Sequence, residues 1–332
     1  MSKNRNLIVN LDPAKPTIAF DTYWRFAYER QNVFFKKINS EGGQYTSDPI
    51  LQQYKFTNVY RACDRVSQYL IKNVIYTKNK LFSERDVFLR IMLFKLFNKI
   101  ETCRLLEHRF DVINESTFSV TKSGDFLDSE MNRGRTLYSN AYMMASGCKE
   151  FNVTRKHHAH LLLLELMLKH SLPEKIIECR KMSEAYLLLL EYPLIGRFLA
   201  YQYVTDINYS EVTNFKETEF TVAGPGARDG IRKCFSSLGG LSEVEIIKMM
   251  TDRQEYEFDR LGLPFKKLGC RSLQYIDIQN IFCEVDKYCR VAHPEISGIS
   301  GRTRIKQRFK ENPEKINYFF PPKWKVKIGE KK

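Results

Sequence analysis

The sequence lacks the features that mark membrane-spanning and secreted proteins. No stretch reaches the roughly 20 apolar residues that a helix needs to cross a bilayer, and the densest apolar run, LLLLELML at 161–168, contains Glu165. The N-terminal stretch MSKNRNLIVNLDPAKP has no apolar core of the kind found in secretory signals. We therefore expect a cytoplasmic protein with no membrane partner.

Paired metal-binding and nucleotide-binding motifs are also missing. None of the eight cysteines forms a CxxC pair, and Cys283 and Cys289 lack the spacing of a zinc or iron–sulfur site. The cysteines are scattered through apolar helical patterns, which indicates buried thiols in a reducing compartment. HHAH at 157–160 has no acid or cysteine at ligand spacing, so we expect no metal. No glycine-rich loop ends in GKS or GKT, so we expect no ATP chemistry and no cofactor.

What the sequence does have is positive charge. The 332 residues carry a formal net charge of +14, with a pI near 9.3. An excess of this size predicts a polyanionic partner, usually nucleic acid. Hydrophobic residues make up 43% of the chain, which is enough for a sizeable core in one large domain or two smaller ones.

The hydrophobic periodicity is helical nearly everywhere and predicts an all-α fold. Short alternating stretches such as DVINESTFSV could be strands, but they are too few to build a sheet. We expect helices at roughly 19–38, 47–76, 84–108, 130–148, 154–170, 173–191, 195–205, 227–238, 241–260, 272–291 and 302–312.

The composition changes after Gly298, where Lys and Arg far outnumber Glu. We expect a basic C-terminal helix and tail over 299–332. The tail is either a solvated basic segment or an arm that contacts phosphates. In the second case the aromatic residues of FFPPKW could stack on bases.

The stretch TNVYRACDRVSQYLI at 57–71 places a polar stripe beside an apolar one when it is drawn as a helix. Its two arginines, Arg61 and Arg65, lie about one turn apart and could grip a phosphate or carboxylate through their forked donors. Asn58 and Gln68 flank them. The alternative is a surface face on which Asp64 pairs locally.

Two glycine-bearing turns precede helices. YPLIGRFLAYQYVTD at 192–206 has the P-x-x-G-x-x-x-A pattern of a helix–hairpin–helix turn, and VAGPGARDGIRKCF at 222–235 has glycines on both sides of Pro225. Glycine at a helix start lets backbone N–H groups approach a DNA phosphate, although plain helix capping is the alternative. The residues expected on the DNA backbone are Gly196, Arg197, Gly224, Gly226, Arg228, Arg232 and Lys233.

Three acids are candidates for catalysis. Asp206 is expected on a loop just beyond the first hairpin helix. Asp277 and Glu284 lie on one polar strip of YIDIQNIFCEVDKYCR at 275–290. Excision of a flipped base needs a carboxylate near C1′ to stabilise the developing positive charge. Each acid could instead be a helix cap or an exposed residue.

Five stretches in this order carry a resemblance: FTNVYRACDRVSQYLI, FLRIMLFKLFNKIETC, GRFLAYQYVTDINYS, GPGARDGIRKCF and DIQNIFCEVDKYCR. Together they resemble the α-glutamyl/putrescinyl-thymine pyrophosphorylase family, also described as the helical domain of 5-hydroxymethyl-deoxyuridine DNA kinases. The resemblance implies a multi-helical fold like that of the helix–hairpin–helix DNA glycosylases over 18–298, which could form two helical lobes with a cleft, after an extension at 1–17.

The resemblance also implies site residues and a class of activity. It marks as substrate- or phosphate-binding the residues Asn58, Arg61, Arg65, Asn208, Gln279, Asn280, Lys287 and Arg290. Asp64 and Pro225 also fall at matching positions. Ordinary glycosylases of that superfamily carry their catalytic aspartate just before the corresponding helix, but here that helix begins with Gly-Pro-Gly. Asp206, Asp277 or Glu284 must therefore supply the acid if a base is excised.

Three functions follow as hypotheses. The first is a DNA glycosylase that cleaves a hypermodified, 5-hydroxymethyl-derived pyrimidine from double-stranded DNA in defence against phages. The second is a transferase that replaces the phosphate or pyrophosphate of a phosphorylated 5-hydroxymethyl-uracil with an amine or amino acid. It would work with a separate hydroxymethyl-nucleotide kinase. The third is a DNA-binding module without catalysis.

Overall fold

The computed structural model describes residues 12–39, 43–78, 82–142, 144–312 and 314–328. These residues form an all-α, multi-helical fold, as the periodicity predicted. The helices are α1 Ile18–Ile38, α2 Pro49–Gln53, α3 Arg65–Tyr69, α4 Glu84–Phe97, α5 Ile100–Phe110, α6 Val120–Asn132, α7 Lys156–Lys169, α8 Leu172–Glu178, α9 Met182–Leu190, α10 Arg197–Ile207, α11 Pro225–Cys234, α12 Glu243–Arg260 and α13 Tyr275–Ala292.

A few shorter elements complete the described part of the chain. Two short antiparallel strands, β1 Lys15–Pro16 and β2 Phe235–Ser237, pair with each other. Single turns of 3₁₀-helix lie at Arg61–Cys63 and Pro322–Trp324, and Leu70–Ile75 is a π-helical turn.

The chain divides into two compact units, which we call unit 1 and unit 2. Unit 1 comprises Met1–Val59, Ala223–Lys267 and Leu273–Glu311. Unit 2 comprises Tyr60–Val222, Leu268–Ser272 and Asn312–Lys332. Each unit therefore draws on segments that are distant in sequence.

The core of unit 1 forms around α13 and α11. A Cβ atom added to Gly230 would lie 2.0 Å from the carbonyl oxygen of Phe282, and one added to Gly226 would lie 3.0 Å from the Cys283 sulfur. Both positions, one turn apart on α11, therefore need glycine for α11 to pack closely on α13. The glycine at 226, predicted to admit a phosphate, is thus used for contact between two helices.

Aromatic side chains of α1 extend this core. Tyr23 and Trp24 are completely buried. The Tyr23 ring lies 4.6 Å from that of Phe282, and Trp24 meets Phe258 edge-on at 5.0 Å. Aromatic pairs in these arrangements add to the stability that burial of their area provides.

The core of unit 2 contains two helices that are apolar on nearly all sides. Ten consecutive residues of α4, from Phe88 to Phe97, are buried. The apolar run at 161–168 forms α7, in which Leu161, Leu163 and Leu164 have no exposed surface. A helix that is hydrophobic all round is stable only when other elements surround it, which explains the position of this run.

Five predicted helices differ from the structure: 84–108 and 173–191 are each divided in two, into α4 and α5 and into α8 and α9, and three others are wrong. In place of 47–76, α2 ends at Gln53 and irregular chain follows, and 302–312 contains no helix. The cause is pairing between the two segments: the Lys55 amide donates to the Gln307 carbonyl and the Phe309 amide donates to the Gln53 carbonyl. In place of 130–148, α6 occupies Val120–Asn132 and stops before Gly134, whose φ is +82°. Local periodicity does not reveal the long-range pairing of 53–55 with 307–309.

Candidate functional site

Asp206 lies at the centre of a buried charge cluster in unit 2. It was predicted on a loop, but it lies in the last turn of α10 and is 1% exposed. The Arg61 guanidinium donates to both carboxylate oxygens, at 2.7 and 3.0 Å. It also donates to Gln202 Oε1 at 3.1 Å and to the Tyr209 hydroxyl at 2.8 Å. This is the bidentate geometry that makes arginine–carboxylate pairs strong.

A second buried cation completes this cluster. Lys95 Nζ lies 3.1 Å from Asp206 Oδ2, donates to Asn98 Oδ1 at 2.8 Å and sits over the Tyr142 ring. Burial opposes ionisation of Asp206, but Arg61 and Lys95 outweigh it and hold its pKa below the usual range. Burial lowers the pKa of Lys95, with Asp206 acting against the shift. The cluster is therefore a carboxylate, held ionised by the Arg61 guanidinium, that also contacts the Lys95 amine.

In unit 1 the polar strip of α13 turns inward against the segment 56–58. Glu284 Oε2 accepts from the Thr57 amide at 3.0 Å and pairs with Lys287 Nζ at 2.7 Å. Asn280 donates to the carbonyl of Asn58 and to the Thr57 hydroxyl, both at 3.1 Å. Lys287 also lies over the Phe56 ring, 4.7 Å from its centroid. These side chains fix the extended segment 56–58 on α13.

Asp277 and Gln279 have other surroundings on the same helix. Asp277 is 3% exposed and its Oδ2 accepts from the Gln274 amide at 3.0 Å, which closes a capping box at the start of α13. Gln279 is buried and its amide contacts the Cys283 sulfur at 3.9 Å. The capping alternative for Asp277 thus matches its geometry.

Two acids that the sequence analysis did not select bind basic residues in unit 1. Asp286 is buried between Lys233, at 3.1 Å, and Arg290, at 2.5 Å. Asp229 accepts from the Ser300 amide at 2.7 Å and pairs with Arg302 at 3.3 Å. The sequence signalled only one of these contacts, since Asp286 and Arg290 have the i, i+4 spacing of helical neighbours, whereas the partners of Asp229 lie about 70 residues away.

The remaining predicted backbone-binding residues are mostly exposed. Arg228 and Arg232 lie on the outer face of α11, 3.7 and 3.2 Å from the Glu243 carboxylate. Gly224 is the N-cap residue of α11. Gly196 and Arg197 are exposed at the start of α10, where no side chain caps the helix and an added Cβ would meet nothing within 4 Å.

Asn208 and Arg65 have structural partners within unit 2. Asn208 is 1% exposed, accepts from the Phe215 amide at 2.9 Å and donates to the Phe215 carbonyl at 3.1 Å, which closes a loop. Arg65 is half-buried and pairs with Glu314 at 3.3 Å.

The structure therefore groups the predicted residues by unit. Unit 2 joins Arg61 to Asp206 and adds Lys95, which the sequence analysis did not select. Unit 1 joins Asn58, Asn280, Glu284 and Lys287. Among the described residues no helix has the length and apolarity needed to span a membrane.

Comparison with known proteins identifies the family. The family model described as the helical domain of 5-hmdU DNA kinase matches residues 17–298. A protein of Bacillus phage SP10 named 5-hmdU DNA kinase is 26% identical over 299 residues, which cover 85% of this chain and 47% of that protein. The chain thus spans about half the length of the curated relative it matches. No solved structure matches it.

These findings correct the functional hypotheses. The glycosylase hypothesis is wrong, because the relative is named as a DNA kinase and the matched model describes the helical domain of such a kinase. The same names give no support to the amine transferase, and the DNA-binding module without catalysis stays a prediction. The resemblance itself is confirmed at the level of the kinase helical domain, whereas the pyrophosphorylase name and the glycosylase superfamily stay predictions.

Because the match extends over most of the chain, the protein belongs to the family of 5-hmdU DNA kinase helical domains.

Proposed function

We propose that this chain acts in the phosphorylation of 5-hydroxymethyl-deoxyuridine in DNA, where it binds the modified DNA and places the hydroxymethyl group for phosphoryl transfer. The observation that carries the proposal is the family match over residues 17–298, together with the relative named 5-hmdU DNA kinase. The net charge of +14 supports a DNA substrate.

The chemistry sets clear requirements. The hydroxyl of a 5-hydroxymethyl group must line up with the phosphorus of the donor, and catalysis of such a transfer is mostly positioning and electrostatic stabilisation. A base inside a duplex is poorly accessible, so enzymes that modify bases commonly rotate the nucleotide out of the stack. The chain must therefore hold the DNA backbone and receive one displaced base.

In this proposal α9, the turn at 191–196 and α10 form one backbone contact in unit 2. The start of α10 is open: Gly196 and Arg197 are exposed, no side chain accepts from the first N–H groups and the first turn contains no acid. Backbone N–H groups and the helix dipole at such a terminus favour a phosphate. This arrangement is the one that the predicted helix–hairpin–helix turn requires.

In unit 1 the outer face of α11 supplies the second backbone contact. Arg228 and Arg232 are exposed, and Glu243 is near both. One carboxylate neutralises only part of two guanidinium charges, so the face keeps positive charge for phosphates. Lys233 and Arg290 are instead committed to Asp286, and we assign them a structural role.

The buried acids act as positioning residues in this proposal. Asp206 holds the Arg61 guanidinium in one orientation, and Glu284 holds the backbone at Thr57. Neither acid is placed at the reacting atoms.

The phosphorylation itself is the test of the proposal. The chain is incubated with ATP labelled at the γ-phosphate and with a duplex that contains one 5-hydroxymethyl-deoxyuridine, or thymidine at the same position. Label in the first duplex alone would mean that the chain itself transfers the phosphoryl group; without label, we expect tighter binding of the first duplex than of the second. The proposal fails when the modified duplex is neither labelled nor bound more tightly than the thymidine duplex.

The α11 surface is tested separately by the double variant Arg228→Ala/Arg232→Ala. Loss of two phosphate contacts should reduce the slope of log K against log salt by about 2, because each contact contributes about 0.9. The control is Lys122→Ala/Lys149→Ala, which removes the same charge from exposed side chains of unit 2. Equal slopes for both double variants would exclude α11 from the DNA contact.

A further inference from the structure

An acid and two histidines meet where α6 packs on α7 in unit 2. Asp128 of α6 lies between His157 and His158 of α7, with His157 Nε2 2.7 Å from Oδ1 and His158 Nε2 3.0 Å from Oδ2. The three ligand atoms all lie within 4.8 Å of one another. The sequence analysis looked for an acid near HHAH in sequence and could not find Asp128, which is about 30 residues away.

His157 carries a buried nitrogen that lies close to the Asp128 carboxylate but is poorly aligned with it for a hydrogen bond. Its side chain is 1% exposed, and its Nε2 makes no hydrogen bond of acceptable geometry although the Asp128 carboxylate is close. A buried polar atom in this state is costly unless a partner satisfies it. A positively charged ion beside Asp128 would be such a partner.

Gly124 makes room for the second histidine. A Cβ atom at this position of α6 would lie 2.5 Å from His158 Cε1 and 2.7 Å from His158 Nδ1. Gly124 and Asp128 are one helical turn apart on the same face. Glycine inside a helix is less stable than alanine, so the space for the imidazole is obtained at some expense of helix stability.

We propose that Asp128, His157 and His158 bind a divalent transition-metal ion of the zinc class. Two imidazole nitrogens and one carboxylate oxygen are donors that Zn²⁺ prefers, at about 2.0–2.2 Å each. The two histidine nitrogens lie 2.7 and 3.0 Å from the two oxygens of the Asp128 carboxylate, and all three ligand atoms lie within 4.8 Å of one another, so short side-chain movements would bring them around one ion. The ion links α6 to α7, and with three protein donors it keeps a fourth position for water.

Arg155 would compete with a metal ion for the Asp128 carboxylate. Its Nη1 donates to Asp128 Oδ1 at 2.9 Å, and its side chain is 39% exposed. The guanidinium can therefore turn outward to solvent when an ion binds. The alternative to a metal site is a cluster of hydrogen bonds and ion pairs that joins the two helices without any ion.

The full chain, freed of metal with a chelator, is titrated with ZnCl₂ by calorimetry and with CoCl₂ by absorption spectroscopy. We expect one tight equivalent and a cobalt spectrum without the intense near-ultraviolet bands of thiolate ligands, which sets the site apart from the eight cysteines. Asp128→Asn and His158→Gln should weaken binding roughly tenfold or more. His108→Gln, at an exposed histidine, should leave it unchanged.

Gly124→Ala keeps every ligand and decides the question if the ligand variants do not fold. Its Cβ would displace the His158 ring, so zinc affinity should fall while the helical circular dichroism of the chain is kept. The proposal is overturned when the wild-type chain binds no equivalent of zinc. It is equally overturned when Asp128→Asn or Gly124→Ala binds zinc as tightly as the wild-type chain.

Discussion

At the scale of single residues, the charge cluster at Asp206 is the feature of unit 2 most sensitive to substitution. The side chains of Arg61, Asp206 and Lys95 are almost completely buried. A buried ion pair contributes little net stability compared with apolar packing, but removal of one partner leaves the other charged and desolvated. Substitution of Asp206 and substitution of Lys95 should therefore change the free energy of unfolding by different amounts.

Asp206→Asn is expected to destabilise the protein by about 3–5 kcal/mol, because it leaves the buried Arg61 without a counter-charge. Lys95→Met is expected to cost less than half as much, since Arg61 still pairs with Asp206 through two hydrogen bonds. Urea unfolding followed by circular dichroism measures both. Equal losses for the two variants would show that the cluster does not depend on the Arg61–Asp206 pair.

The lowered pKa of Asp206 predicts that the folded protein loses stability in acid. The pKa of this carboxylate in the folded chain lies below the usual range, so its stabilising effect is complete above the unfolded value of about 3.9. The effect is lost as the pH falls through the lower folded pKa. Unfolding free energies between pH 6 and pH 3 should decline more steeply for the wild-type chain than for Asp206→Asn. Parallel curves would contradict this assignment.

At the scale of elements, the packing of α11 on α13 depends on the two glycines of α11. Gly230→Ala should destabilise unit 1 by about 1–3 kcal/mol, because its Cβ would meet backbone atoms of Phe282 that cannot move aside. Arg228→Ala on the exposed face of the same helix should change stability by less than about 0.5 kcal/mol. Thermal unfolding of both variants tests this. A Gly230→Ala chain as stable as Arg228→Ala would mean that the two helices are not closely packed.

The sequence predicted some elements well and missed others for a physical reason. The expected helices at 19–38 and 154–170 differ from α1 and α7 by no more than two residues at either end, because strong periodicity or a long apolar run defines them. The 47–76 and 302–312 helices failed where segments pair across the sequence, which no local pattern encodes. Asn98, with φ of +49°, divides the expected 84–108 helix into α4 and α5.

The candidate site was predictable in part. The strip of Asn280, Glu284 and Lys287 has helical spacing, and the structure turns it inward against the segment 56–58. The partners themselves could not be derived. Nothing near Asp206 in sequence indicates Lys95, and nothing near His157 indicates Asp128, because both pairs arise from tertiary packing of separate helices.

At the scale of the whole molecule, the C-terminal residues 314–328 are part of the fold of unit 2. Trp324 packs under the Arg271 guanidinium, 3.8 Å from the ring centroid, and meets Tyr209 edge-on at 5.5 Å. Phe320 is buried, and the Phe319 amide donates to Gln68 Oε1 at 2.8 Å. These aromatic residues are occupied within the chain, which argues against the arm that stacks on bases.

Trp324→Ala should therefore reduce the free energy of unfolding by about 2 kcal/mol through loss of ring contacts and the cation–π interaction. Lys325→Ala, the exposed neighbour, should have almost no effect. Chemical denaturation and DNA binding are measured in parallel. A Trp324→Ala chain with unchanged stability but weakened DNA binding would restore the nucleic-acid arm.

The central claim, that this chain acts on DNA carrying 5-hydroxymethyl-deoxyuridine, is tested most directly by its affinity for two duplexes that differ at one base. Fluorescence anisotropy at a fixed salt concentration compares the binding of a duplex that contains one 5-hydroxymethyl-deoxyuridine with that of the same duplex with thymidine at this position. Our account predicts tighter binding of the modified duplex, by roughly tenfold for one recognised hydroxyl group, since each 1.4 kcal/mol is a factor of ten. Equal affinity for the two duplexes, with no phosphoryl transfer to the modified one, would contradict it.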